Sequence, residues 1–90
     1  MKGAASRVPL AHLQAFLDQT HGQITIGEIP PIRRAVLAAE GKRVRVALLG
    51  REGEKIGQLL ERLDTALGTV MADDSVIDEV LPEIKRRRSR

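Results

Sequence analysis

Arginine is the residue type in this chain with the most binding chemistry to offer. The 90 residues include eleven Arg and four Lys, and the planar guanidinium fork is suited to phosphate and carboxylate oxygens. Five basic residues gather in mid-sequence, Arg33, Arg34, Lys42, Arg43 and Arg45, and five more close the chain, Lys85, Arg86, Arg87, Arg88 and Arg90. The expected chemistry is anion binding, with the mid-chain group as the site and the terminal run adding salt-sensitive affinity for phosphate. The same residues also suit an ordinary solvated face paired with Glu28, Glu40 or the acidic second half.

Catalytic groups are sparse by comparison. There is no cysteine, and the only histidines are His12 and His21, with no Ser/His/Asp arrangement around them. The acid pairs Asp73-Asp74 and Asp78-Glu79 suit helix starts, where the macrodipole favours negative charge, and they lack calcium-loop spacing. Gly50, Gly53 and Gly57 follow a predicted strand, but their spacing fits neither common phosphate-loop pattern. The expectation is a binding protein, not an enzyme, without metal or cofactor.

The elements that must position these residues belong to one domain, since 90 residues lie within the usual domain range. A core of this size is modest, and a homodimer is one way to extend it. Charge is segregated along the chain. Residues 1–51 balance at +5, residues 52–84 at −7 and residues 85–90 at +5, which gives the net +3. No apolar run is long enough for a bilayer span, nothing reads as a signal peptide, and the lack of cysteine fits a reducing cytoplasm.

Apolar spacing at Leu10, Leu13, Phe16 and Leu17 predicts a helix over 9–20, started by Pro9 and stopped by Gly22. Alternation predicts a short strand over 22–26. Gly27 and Pro30-Pro31 break it, and a short helix is expected over 31–40, capped by Gly41. The clearest strand follows over 42–49, with Val44, Val46 and Leu48 on one face and Arg43 and Arg45 on the other. After a turn at 50–53, Ile56, Leu59, Leu60, Leu63 and Leu67 mark an amphipathic helix over 54–67, ended by Gly68. Ser75 and Asp78 resemble a capping box for a last short helix that Pro82 kinks or ends. The predicted fold class is α+β, with a single domain over 1–84 and a disordered basic tail over 85–90.

The stretch Gly22-Gln23-Ile24-Thr25-Ile26, followed by Ile32-Arg33-Arg34-Ala35-Val36-Leu37 and Gly41-Lys42-Arg43-Val44-Arg45-Val46, resembles the AbrB/MazE-like swapped-hairpin family of bacterial DNA-binding regulators and antitoxins. Five residues separate Ile26 from Ile32, where that family usually has about three. The resemblance implies an interlocked homodimer whose basic residues meet DNA. With Phe16 as the only aromatic, base stacking has no platform, so duplex DNA is preferred over single strands. The leading expectation is a small transcriptional regulator or antitoxin-like autorepressor. The alternative is an adaptor that binds a partner protein through its acidic helices over 54–81.

Overall fold

The computed structural model describes residues 10–88. Along the chain run α1 (Ala11–Thr20), β1 (Gly22–Ile29), β2 (Ile32–Glu40), β3 (Arg43–Leu49), α2 (Ile56–Asp73), β4 (Ile77–Asp78) and α3 (Val80–Arg88). The four strands form one sheet in the order β1-β2-β3-β4. The first three are an antiparallel meander, and β4 joins β3 in parallel. This is an α+β domain, as composition and periodicity predict.

The sheet is covered on both faces, because consecutive strand residues point opposite ways. Val36, Ala38, Val46 and Leu48 pack against Phe16 of α1 and Leu59, Leu63, Ala66, Leu67 and Val70 of α2. Ala35 and Ala47 point to the other face and meet Val80 and Ile84 of α3. Burying each of the large α2 leucines contributes about 1.5–3 kcal/mol. The amphipathic stripe read from the sequence is therefore the main core element, although Ile56 at its start stays exposed.

Double coverage explains the principal correction. Residues 31–40, expected as a helix, are strand β2 and the turn before it. Ala35, Val36 and Ala38 are all fully buried, so the segment lacks the polar–apolar alternation of a one-sided strand, and its alanines mimic a helix. Pro30-Pro31 is the two-residue turn of the β1–β2 hairpin, joined by a cis peptide bond. The strand–helix–strand order that carries the family resemblance is thus strand–strand–strand in this molecule.

Two further boundaries shift. Helix α2 continues through Gly68 to Asp73, because Gly68 is a contact point and not a stop. A Cβ there would lie 2.9 Å from the His12 ring, so its absence lets α1 approach α2. Asp64 of α2 then accepts a hydrogen bond from the Leu13 N–H at 2.8 Å, satisfying an unpaired donor at the start of α1. At the chain's other end, Asp78 caps α3 by accepting from the Val80 and Leu81 N–H groups at 2.9 Å. Pro82 fits inside the first turn of α3, where no intrahelical donor is required. The helix accordingly runs on through Lys85, Arg86, Arg87 and Arg88, residues expected to be disordered. Arg90 lies outside the described residues.

Candidate nucleic-acid interface

Antiparallel pairing dictates which basic residues can meet. Arg33 and Arg34 open β2, whereas Lys42 and Arg43 follow its end, about 23 Å away at the ~3.3 Å rise per strand residue. The expected mid-chain group is therefore divided between opposite ends of the sheet. Lys42 is exposed in the two-residue Gly41-Lys42 turn, and Arg43 is exposed with Asp74 3.8 Å from its guanidinium.

Arg45 departs most from expectation. The register pairs Ala38 with Val46 and Ala39 with Val44, which leaves Arg45 as the extra residue of a β-bulge. Its side chain turns in under α2 and is only 8% exposed. One guanidinium nitrogen donates to the Val70 carbonyl at 3.1 Å, the Ser75 carbonyl at 3.3 Å and Asp74 at 3.3 Å. The second terminal nitrogen donates to Glu40 at 3.2 Å, and the buried Nε has no partner among the described residues. A cation at the C-terminus of a helix satisfies orphan carbonyls and complements the dipole. Arg45 is a helix clamp and is unavailable to an external ligand.

At the opposite end the chain assembles a new cluster. The start of β2 and the end of β3 are joined by the Gly50 N–H, which donates to the Arg34 carbonyl at 2.9 Å, so residue 51 emerges beside residues 33 and 34. Across the sheet, α3 reaches the same place, and Arg87 donates to the Pro31 carbonyl at 3.1 Å. Arg33, Arg34, Arg51 and Arg87 line one open concavity of about 950 Å³, together with Glu52, Glu54 and Glu83. Two of those acids are already engaged. Glu54 is held by Arg62 at 2.7 Å, and Glu83 by Arg86 at 2.6 Å and Arg87 at 2.8 Å.

The electrostatics follow from these pairs. The hydrogen bond from Arg62, with another from the Arg51 N–H, lowers the Glu54 carboxyl from 4.5 to about 2. Arg86 and Arg87 lower the Glu83 carboxyl in the same way. Both acids stay ionised, but their charge is directed toward neighbouring guanidinium groups. Arg33 and Arg51 make no side-chain hydrogen bond or ion pair among the described residues. They are the exposed cations a phosphate would meet, while Arg34 is steadied by its bond to the Glu54 carbonyl at 3.2 Å. Gly50 is required beneath Arg34, because a Cβ would fall 2.7 Å from the arginine stem.

Of the expected site, then, Arg33, Arg34 and Arg87 come together, with Arg86, Arg88 and Lys85 exposed on the adjoining helix. Lys42 and Arg43 do not join them. Arg51 was missed because its stretch reads as a plain turn, yet a strand at 31–40 would have placed it correctly. Phe16 is fully buried, and no group of three potential metal-ligating side chains gathers among the described residues. No helix there is long and apolar enough to cross a membrane. No known protein family, characterised protein or solved structure matches the chain.

Proposed function

We propose that this protein binds duplex DNA through the phosphate backbone, seating it on the arginine concavity, and acts as a small cytoplasmic regulator without enzymatic activity. One observation carries the reading: four arginines distant in sequence, Arg33, Arg34, Arg51 and Arg87, line a single open surface. Guanidinium forks positioned by a sheet end and a helix suit the paired oxygens of phosphodiesters. The burial of the only aromatic favours a duplex over a single strand, which would need stacking partners.

Fluorescence anisotropy of a labelled random duplex, titrated at low and moderate salt, tests this directly. Binding should weaken steeply with salt, with a slope of roughly 0.9 per phosphate neutralised. Changing Arg33 and Arg51 together to Glu should weaken it by about tenfold or more. Undiminished affinity in that variant would overturn the assignment.

A second reading rests on a neighbouring feature that shares the 51–54 turn with the concavity. An open groove of about 820 Å³ between the 51–54 turn, α2 and β4 is lined by Leu48, Ala66 and Ile77 and by four acids, Glu52, Glu54, Glu61 and Glu79, against two bases, Arg51 and Arg62. It suits a basic segment of a partner protein. Failure of DNA binding, combined with a pulldown lost on Glu61→Arg, would transfer the function to that groove.

A further inference from the structure

We infer that the outer edge of β1 pairs antiparallel with the same strand of a second copy, making one continuous sheet across a two-fold axis at Thr25. The two edges of the sheet are finished very differently. At one edge β4 is only two residues long, which leaves little backbone for an outside strand. At the other, β1 runs for eight residues and, among the described residues, is bonded only to β2. Natural sheets protect such an edge with lysine, proline, inward charges or bulges. In β1 the bulge and the only charge, Glu28, are confined to the hairpin end. Gln23-Ile24-Thr25-Ile26-Gly27 carries no charge and no proline.

The pattern of this strand selects a second copy as its partner. Read outward from Thr25, it places Ile24 against Ile26 and Gln23 against Gly27, so antiparallel self-pairing sets isoleucine opposite isoleucine and threonine opposite threonine. No like charges face each other, since Glu28 would lie across from Gly22. Aliphatic and Thr–Thr cross-strand pairs are favourable, and a two-fold interface requires this kind of self-complementarity. Ile26 supplies the motive. It is 40% exposed, although its neighbour Val36 on the same face is fully buried. Ile24 of the second copy would cover it. None of the residues lining the arginine concavity takes part, so this inference stands whether or not DNA binds there.

The test uses charge at the axis. Light scattering on the eluted 90-residue chain at micromolar concentration should give twice its mass of 9.9 kDa. Thr25→Glu and Thr25→Lys, each confirmed as folded by circular dichroism, should each elute as monomers, because like charges would face each other. An equimolar mixture of the two should recover the dimer, and Thr25→Val should keep it. Should either charged variant fail to fold, hydrogen exchange of the wild-type β1 amides must slow with rising protein concentration. A monomeric wild type, charged variants that remain dimeric, a mixture that stays monomeric, or concentration-independent exchange would each overturn the inference.

Discussion

The two ends of the β2–β3 hairpin carry the same residue type under opposite rules. At the turn end, Arg45 is buried, bonded to two carbonyls and two carboxylates, and holds the C-terminus of α2. At the open end, Arg33 and Arg51 are exposed and make no side-chain hydrogen bond or close ion pair among the described residues, although the Arg51 charge also acts on Glu54. Local acceptors decide the difference. A helix C-terminus offers fixed carbonyl oxygens, so an arginine there is consumed by the fold. At the open end two of the three acids, Glu54 and Glu83, are already paired with Arg62, Arg86 and Arg87 and only Glu52 is not, so the guanidinium groups there outnumber the carboxylates left to meet them. Counting arginines in a sequence therefore overstates a binding site unless the acceptors around each are known.

The largest effect expected from this contrast is at Arg45. Arg45→Met should lower the stability to urea by about 1–3 kcal/mol, since the Ser75 carbonyl loses the guanidinium donor and the Val70 carbonyl keeps only backbone N–H donors, while Glu40 and Asp74 can turn to water. The folded fraction should bind duplex DNA as before, and a loss of affinity without a loss of stability would reverse the assignment of the two ends. Next comes the paired comparison at the surface. Arg33→Glu with Arg51→Glu should weaken DNA binding by about tenfold or more, and Lys42→Glu with Arg43→Glu by much less, with little stability change in either case. Equal losses in the two double variants would show that charge alone, and not the concavity, governs binding.

The smallest effect is a pH dependence specific to the open end. The Glu54 carboxyl is lowered from 4.5 to about 2, so its pairing with Arg62 contributes stability that is fully present above 4.5. That contribution disappears as pH falls toward 2, because the unfolded chain binds the proton first. Glu83 acts in the same direction. Denaturation measured across this window should show a shallower acid loss in Glu54→Gln than in the wild type.

Much of this architecture is legible in the sequence, and the failures have physical causes. Leu59, Leu63 and Leu67 announce α2, and Phe16 reads as core because its helix has one apolar face. The segment 32–40 misleads because helices cover the sheet on both sides there, which erases the period of two. Strict alternation puts Arg45 on the outer face of β3, because a bulge is invisible to it. Gly68 looked like a stop because the closeness of His12, far back in the chain, has no local signature. The basic tail looked disordered because repulsion among its charges is evident, whereas the anchoring of α3 through Asp78, Val80 and Ile84 depends on where Ala35 and Ala47 lie. Each error involves a partner distant in sequence, and the arginine concavity is built from such partners.

The seating of α3 against the sheet has a thermodynamic consequence. Arg87 lines the concavity from α3, so under the proposed function the binding-competent population would be the fraction with α3 docked, and the apparent dissociation constant would rise as that fraction falls. Linkage works in the other direction as well. An anion held between Arg33, Arg51 and Arg87 stabilises the docked helix by RT ln(1 + [L]/Kd). Under that proposal α3 would act as a latch whose closure depends on polyanion concentration.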